Sequence, residues 1–334
     1  MAFHTDGFIR YPEPYPMEMA WDDPAPLFRR HFTVDAGLQE AVLSICALGL
    51  GDAYLNGQPV TQDRFIAPIS DYSKTLWYTE YSVTPLLHPG DNLAAVALGN
   101  GLYNEGLHSS WNFDVAPWRD VPKLLFSLEL RYADHTAYVT SDTEWLCMRK
   151  HSPYRFHQMR FGEYYDARKE FDWATPAAFP GRFSPVTVLP DVPGPLEPRF
   201  TPPIRVVETR PYQDWWRSES RGTVILDFGQ NMPGFVRLKL ARPAGTVMSF
   251  RYSEEIDPVT RELDPYTNRS AKATDVYVFK GEGVEEYQPR FTYHGYRYVE
   301  IAGLEGDPAP EMFMAQVPLA GVEQVRLLSG VAFF

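Results

Sequence analysis

Apolar and polar residues alternate along short stretches of this chain. Leu128-Glu129-Leu130-Arg131-Tyr132 and Val236-Arg237-Leu238-Lys239-Leu240 both have a period of two, which places successive side chains on opposite faces of a strand. Asn56-Gly57 lies between two short runs and is a strong signal for a hairpin turn. No long stretch has the 3.6-residue period of an amphipathic helix. The pattern therefore predicts an all-β protein built from sandwiches or jelly rolls.

A concentration of prolines divides the chain into two parts. Eight prolines fall within residues 179–203, a composition that is typical of an extended connection and unfavourable for joining a sheet. We therefore predict two β-sandwich domains joined by this Pro-rich segment. The predicted divisions are an N-terminal extension at 1–26, a first domain at 27–178, a linker at 179–203, a second domain at 204–306 and a C-terminal tail at 307–334.

Composition and charge narrow the choice of partners. The 334 residues are 44% hydrophobic and 22% charged, which indicates a globular protein. The 31 Lys and Arg against 43 Asp and Glu give a net charge of −12 without a basic stripe, so we do not expect nucleic acid as a partner. The N-terminus has neither a basic start nor an apolar core, and no run is long and apolar enough for a membrane span. These features predict a cytoplasmic protein without a signal peptide.

The two cysteines show no pattern of a metal or redox site. Cys46 and Cys147 both lie in apolar, strand-like runs and outside any CxxC motif. We predict that they are buried free thiols. The sequence also lacks G-x-S-x-G, G-x-x-x-x-G-K-[ST] and H-E-x-x-H motifs, so we predict no cofactor and no metal site.

Several segments carry a family resemblance through their shared order. In the first domain these are Leu98-Gly99-Asn100-Gly101-Leu102-Tyr103, Trp118-Arg119-Asp120-Val121-Pro122 and Arg160-Phe161-Gly162-Glu163-Tyr164-Tyr165-Asp166-Ala167-Arg168. In the second domain they are Asp227-Phe228-Gly229-Gln230-Asn231, Arg251-Tyr252-Ser253-Glu254-Glu255-Ile256-Asp257-Pro258 and the aromatic stretch at 291–300. Over residues 26–304 the chain resembles the N-terminal portion of bacterial α-L-rhamnosidases, of glycoside hydrolase family 78.

The resemblance implies a galactose-binding-like sandwich followed by a concanavalin-like sandwich. It implies a parent enzyme that hydrolyses terminal α-L-rhamnosyl residues, with rhamnose-containing glycans or glycosides as partners. In the family the catalytic acid and base lie in a downstream (α/α)6 barrel, which would be a partner of these domains. The stretch after Gly306 departs from the family's usual continuation, so we expect the barrel to be absent from this chain.

No pair of carboxylates in the sequence is suited to glycoside hydrolysis, which requires two carboxyl groups flanking the bond. Glu254 and Glu255 are adjacent in a predicted strand and would point to opposite faces. Glu163 and Asp166 are close to Arg168, which we expect to hold both carboxylates ionised. We therefore predict no catalytic residue in this chain.

A long loop between Gly99 and Asp120 is the predicted carbohydrate-binding region. Aromatic faces stack on the C–H face of a sugar, while amide and guanidinium groups bind its hydroxyls. The candidate residues are Asn100, Tyr103, Asn104, Trp111, Trp118 and Arg119. The alternative is that Trp111 and Trp118 only attach the loop to its own sandwich.

Two polar groups are interpreted as structural. Bidentate pairing of arginine with carboxylates is rigid, and Asp and Asn side chains commonly satisfy backbone groups at turns. The residues are Glu163, Asp166 and Arg168 in the first domain and Asp227, Gln230 and Asn231 in the second.

The stretch at residues 291–301 predicts a two-faced strand. Its even row contains His294, Tyr296 and Tyr298, an aromatic face of low charge that resembles an interface. We predict that this face is exposed or self-paired, which would favour a homodimer; the alternative is that both faces are buried. The functional hypotheses are a scaffold or substrate-recognition part of a rhamnosidase, an independent carbohydrate-binding protein, and a purely structural domain.

Overall fold

The computed structural model describes residues 4–5, 7–13, 22–66, 68–106, 108, 111–176, 183–190 and 194–321. Within these ranges the chain forms twenty-five strands, and its helical elements are short 3₁₀ turns. The predicted all-β class is confirmed. The strands are β1 Phe8–Arg10, β2 Leu27–Val34, β3 Glu40–Leu48, β4 Leu50–Leu55, β5 Gln58–Pro59, β6 Leu76–Ser82, β7 Gly90–Gly99, β8 Lys123–Arg131, β9 Thr136–Thr140, β10 Leu146–Met148, β11 Tyr154–Gln158, β12 Gly162–Asp166, β13 Ser184–Pro185, β14 Thr187–Leu189, β15 Leu196–Pro198, β16 Ile204–Pro211, β17 Asp214–Arg217, β18 Val224–Ala241, β19 Val247–Ser253, β20 Glu255–Ile256, β21 Leu263–Asp264, β22 Thr274–Val278, β23 Val284–Tyr287, β24 His294–Ala302 and β25 Phe313–Ala320. The 3₁₀ turns lie at Thr84–Leu86, Phe113–Val115, Ala167–Lys169, Tyr266–Asn268 and Pro310–Met312.

Two sheets face each other in the first sandwich. One has the order β14-β1-β8-β3-β6-β15, with β9 also paired to β8, and the other has the order β13-β10-β2-β7-β4-β5. Side chains from both sheets form a common core that includes Phe28, Ile45, Val96, Phe126 and Trp145. Only one face of each strand meets the opposite sheet, and this explains why apolar residues recur with a period of two along these strands.

The second group of strands forms one large sheet around its own core. Its order is β11-β12-β22-β19-β24-β18-β25-β16, with β17 and β23 paired to β18. Strand β18 is 18 residues long, and its register against β24 shifts between Asp227 and Met232. This irregularity bends the strand, as bulges do, so β18 can serve both parts of the curled sheet. The core includes Phe228, Tyr252 and Tyr296.

Strand pairing crosses the predicted divisions of the chain. The β11–β12 hairpin lies in the range predicted for the first domain, yet β12 pairs in parallel with β22 of the second sheet. Strands β13, β14 and β15 lie within the predicted linker and pair with β10, β1 and β6 of the first sandwich. All three take end positions in their sheets, and in β13 and β15 the missing N–H of proline therefore costs no ladder bond. Strand β25, in the predicted tail, pairs with β18 and β16.

The prediction that the even face of residues 291–301 is an orphaned interface is wrong. Tyr296 is 0% and Tyr298 is 8% exposed, under side chains of this chain. Tyr296 packs in the main core of the second sheet, and Tyr298 packs on Ile225 and Leu263 on the other side. Both faces of β24 are therefore buried over residues 298–301, because the sheet curls and the β20–β21 hairpin contacts the strand. The homodimer argued from this face loses its basis.

Candidate functional site

The loop that connects β7 to β8 forms one wall of a cavity of about 390 Å³ on the first sandwich. Its lining includes Tyr103, Trp118 and Arg119, three of the six predicted sugar-binding residues, together with Tyr72 from a separate turn. The structure therefore brings together residues that are far apart in sequence. A cavity of this size is within the range of small-molecule sites.

Aromatic rings form the apolar side of this cavity. The ring centroids of Tyr72 and Trp118 are 4.9 Å apart, and those of Tyr72 and Tyr103 are 5.0 Å apart. Tyr103 and Trp118 are nearly parallel, at 17° and 6.2 Å. These contacts attach the loop to its own sandwich, as the alternative interpretation expected, and they leave the half-buried Trp118 at the cavity wall.

Charged groups form the other side of the cavity. Lys123 Nζ lies 2.6 Å from a carboxylate oxygen of Asp120, and it also donates to the Tyr103 hydroxyl at 3.3 Å. Arg119 donates to the Asp114 carbonyl oxygen at 3.0 Å, which orders the loop. Burial lowers the pKa of the Arg119 guanidinium and raises the pKa of the Tyr103 phenol, because both charged forms lose hydration. At neutral pH the site thus offers a cation, an ion pair and a phenolic donor.

The remaining loop candidates lie elsewhere. Asn100 is fully buried; its side-chain amide donates to Asp23 at 3.2 Å and its carbonyl oxygen accepts from Asn104 at 3.0 Å. Asn104 is 2% exposed. Trp111 is 72% exposed and does not line the cavity. In this structure the two amides order the base of the loop, and of the six candidates only Tyr103, Trp118 and Arg119 line the cavity.

Sequence reasoning missed Tyr72 and Ser73 as cavity residues. They belong to a turn in which the Asp71 carboxylate accepts a hydrogen bond from the Ser73 hydroxyl at 2.5 Å. The same carboxylate forms an ion pair with Lys74 at 2.7 Å. The Asp-x-Ser pattern signals such a turn. It carries no information on which distant loop the turn will contact, so the pairing of Tyr72 with Trp118 was invisible in the sequence.

Glu163 lies at a second polar site, within the second group of strands. Its carboxylate accepts hydrogen bonds from the backbone N–H groups of Arg290 at 2.9 Å and Phe291 at 3.0 Å, and from the Tyr287 hydroxyl at 3.1 Å. Its own backbone N–H donates to Asp275 at 3.0 Å. The β12 strand is thereby fixed to the loop that precedes β24.

The expectation that Arg168 holds Glu163 ionised is wrong. Glu163 is 1% exposed and points away from Arg168, which instead binds Asp166 at 2.9 and 3.0 Å. Burial raises the pKa of Glu163 to about 7, and the hydrogen bonds that it accepts offset only part of this cost. Alternation along β12 separates the two acids, because residues an odd number apart lie on opposite faces.

The second-domain motif has structural partners at the register shift of β18. Asp227 accepts from the Gly229 backbone N–H at 2.6 Å and forms a bidentate pair with Arg297, both contacts at 2.8 Å. Gln230 accepts from Arg210 at 2.8 Å, and Asn231 is exposed. Asp227 therefore connects the bend in β18 to the neighbouring strand.

The described ranges contain no cluster of three or more His, Cys, Asp or Glu side chains arranged to hold a metal ion. Across the same residues, no helical segment has the length and apolar character required to cross a bilayer.

Comparison with known proteins identifies both groups of strands. Residues 36–208 match the α-L-rhamnosidase N-terminal domain, and residues 217–318 match the bacterial α-L-rhamnosidase concanavalin-like domain. An α-L-rhamnosidase of Streptomyces avermitilis is 37% identical over 81% of this chain and 26% of its own length. One of an Alteromonas species is 32% identical over 84% of this chain and 30% of its own length.

Solved structures agree with these matches. The α-L-rhamnosidase from Dictyoglumus thermophilum superposes with a TM-score of 0.83 at 33% identity, covering 95% of this chain and 36% of that one. The enzyme from Aspergillus terreus gives a TM-score of 0.87 at 29% identity, covering 96% and 36%. The chain thus spans about a quarter to a third of the relatives that it matches. The chain belongs to the α-L-rhamnosidase family, within which it corresponds to the N-terminal and concanavalin-like domains.

Proposed function

We propose that this chain is the N-terminal, non-catalytic part of an enzyme that hydrolyses terminal α-L-rhamnosyl residues in glycosides or glycans. The observation that carries the proposal is the match of both sandwiches, in order, to the corresponding third of α-L-rhamnosidases. Two buried carboxylates agree with it, since Glu163 and Asp166 both accept hydrogen bonds from groups of this chain.

The role that suits this architecture is a rigid scaffold. The β11–β12 hairpin joins the second sheet while its neighbours in sequence belong to the first sandwich. Phe291 extends from the second group into a cluster with Leu50 and Ala97 of the first sandwich. A junction of this kind resists reorientation, because separation would expose the apolar Phe291 ring to water.

The proposed contact surface for the catalytic barrel is an apolar groove of about 430 Å³. Ile69, Tyr293 and Leu319 line it and are 57%, 42% and 42% exposed. The groove lies at the junction of the two sandwiches, and the last described residue, Gly321, follows directly after its wall. In this proposal the barrel covers the groove, since apolar grooves of this kind mark interaction sites.

Hydrolysis tests the first part of the proposal. The purified chain is incubated with an aryl α-L-rhamnopyranoside beside an α-L-rhamnosidase that contains the barrel. We expect turnover only in the second sample. Turnover that co-elutes with the isolated chain through two different columns would overturn the non-catalytic assignment.

Hydrogen exchange tests the contact surface. Exchange is compared between the isolated chain and a polypeptide in which the chain is followed by a rhamnosidase barrel. We expect slower exchange in peptides around Ile69 and Leu319 in the longer protein, and no change around Val259, which is 89% exposed and outside the groove. Equal exchange at Ile69 and Leu319 in both proteins would refute the docking surface, and protection that depends on chain concentration would assign it to self-association.

Carbohydrate binding at the loop cavity is the second candidate function. The specific observation is that Tyr103, Trp118 and Arg119 meet at one cavity wall. Titration of L-rhamnose into the chain, followed by tryptophan fluorescence, is the measurement. We expect a saturable response of which one component is lost in Trp118→Ala and kept in Trp111→Ala, while no response at millimolar sugar removes this candidate.

A further inference from the structure

A crevice of about 470 Å³ lies between the two sandwiches, on the side of the Asn56-Gly57 turn. Its walls come from three places: Tyr54 of the first sandwich, residues 170–175 after the β12 strand, and residues 286–290 of the second group of strands. The crevice is separate from the loop cavity and from the apolar groove, and shares no lining residue with either. Its volume is in the range of sites that hold small molecules.

Aromatic side chains line two walls of the crevice. Trp173 meets Tyr54 edge to face, with centroids 5.5 Å apart and planes at 78°. Tyr165 and Tyr287 form a second wall, with centroids 5.6 Å apart. Tyr54, Tyr165 and Trp173 are all half-buried, so part of each ring faces the opening. Rings arranged at right angles suit a ligand with one apolar face and polar edges.

Polar groups lie beside these rings. The Tyr54 hydroxyl donates to Asp52 at 2.6 Å, and Arg290 approaches the same carboxylate at 3.7 Å. Thr175 lines the crevice with a buried hydroxyl that has no hydrogen-bond partner among the described residues. The half-buried Arg290 guanidinium retains donors for a ligand, since its distance from Asp52 leaves the pair loose.

Acidic side chains at the opening of the crevice disfavour the binding of an anionic ligand. Glu170, Asp172 and Glu286 are exposed at the crevice, against the single cation Arg290 in its lining. Glu170 is occupied, since it accepts from the Tyr165 hydroxyl at 2.9 Å and from Lys280 at 2.8 Å. Asp172 remains as an acceptor for hydroxyl groups. Glu286 forms an ion pair with Arg237 at 3.7 Å, which leaves its second carboxylate oxygen as an acceptor, and Asp172 would repel a carboxylate.

We propose that this crevice is a carbohydrate-binding site for a neutral pyranose unit. The sugar ring stacks against Trp173 and Tyr54, and Arg290, Asp172 and Glu286 bind its hydroxyl groups. The proposal is independent of whether the chain is part of a rhamnosidase, and the family enters only in the choice of probe. The ligand lies across the junction, so its binding also holds the two sandwiches together.

Nuclear magnetic resonance tests the proposal on the intact chain, with the Trp173 indole N–H and the backbone amide N–H groups of residues 170–175 and 286–288 as probes. Methyl α-L-rhamnopyranoside, D-glucose and D-galactose are titrated separately to 50 mM. We expect at least one of them to shift the signals of these groups saturably, and Trp173→Ala to weaken that binding at least tenfold. Trp111→Ala, at an exposed position outside the crevice, should leave it unchanged. The thermal unfolding of each variant is recorded, and Trp173→Phe, which keeps an aromatic face, should restore most of the affinity.

D-Galacturonate is the anionic comparison. We expect it to bind at least fivefold more weakly than D-galactose, and the Asp172→Asn/Glu286→Gln variant to reduce that difference while the neutral sugar still binds. Absence of a response at the Trp173 indole and at the crevice amides to all three neutral sugars would overturn the proposal. Crevice amides that shift with unchanged affinity in Trp173→Ala would also overturn it. Equal binding of galactose and galacturonate would overturn the charge selection. These outcomes are independent of the hydrolysis assay, so the two proposals fail separately.

Discussion

Glu163 and Phe291 are joined by a hydrogen bond of 3.0 Å from the Phe291 backbone N–H to the buried carboxylate. The Phe291 ring at the same time lies against Gly99, where a Cβ atom would come within 2.5 Å of the ring. One residue therefore contacts the hairpin of the second sheet through its backbone and the first sandwich through its side chain. This arrangement makes the junction a single packed unit, and the first two predictions concern it.

Gly162→Ala is expected to destabilise the protein by at least about 2 kcal/mol. Gly162 has φ +122, and an added Cβ would lie 2.0 Å from the Thr274 carbonyl oxygen, so the β12 strand could not keep its pairing with β22. Urea unfolding provides the measurement. Gly283→Ala is the control, because its φ is +74 but nothing lies within 4 Å of the added atom. Similar losses in the two variants would contradict the proposed clash.

Glu163→Gln is expected to alter the pH dependence of stability. The pKa of Glu163 rises from 4.5 to about 7 on folding, so the folded protein keeps a proton that the unfolded chain has lost between these values. Stability contributed by this group is therefore present at low pH and declines as pH rises from about 4.5 to about 7. Glutamine resembles the protonated acid, so the variant lacks this decline and gains relative to the parent at pH 8.

Urea unfolding at pH 5 and pH 8 measures this effect. The exposed Glu219→Gln variant serves as the control for a change of one charge. If Glu163→Gln lost the same stability at both pH values, burial would not govern this carboxyl, and its role would be that of an ordinary hydrogen-bond acceptor.

Trp118→Ala and Trp111→Ala are expected to differ in stability. Trp118 packs against Tyr72 and Tyr103, so its removal should cost about 2 kcal/mol, less than a fully buried ring. Trp111 is 72% exposed, and its removal should stay within about 0.5 kcal/mol. Thermal and urea unfolding compare the two. Equal effects would show that the loop is not attached through Trp118.

The two thiols are expected to react with a disulfide reagent only after unfolding. Cys46 and Cys147 are buried, and burial raises the pKa of each thiol to about 12, because the thiolate would lose its hydration. At pH 8 labelling of the folded protein should be at least about 100-fold slower than labelling in urea. The single variants Cys46→Ser and Cys147→Ser show which thiol accounts for each phase of the labelling reaction. Rapid labelling of one thiol in the folded protein would indicate local opening at that strand.

Local patterns in the sequence were sufficient for the class of fold and for the family. The alternation in β8 and β18 and the Asn56-Gly57 turn depend on neighbours along the chain, so they predict strands without knowledge of their partners. The ordered motifs from Leu98 to residue 300 identified the rhamnosidase family, which the matches to both domains confirm. Burial of both cysteines also followed from their apolar surroundings.

Tertiary structure alone decided which edges and faces meet. Strand propensity does not encode a partner, so the sequence could not place β12 beside β22 or the proline-containing strands on the first sandwich. The same limit produced the error for Tyr296 and Tyr298, because a period of two separates two faces but does not state whether one or both are covered. It also hid the contact of Tyr72 with Trp118 and the crevice beside Trp173, since each joins segments that only the packing of sheets brings together.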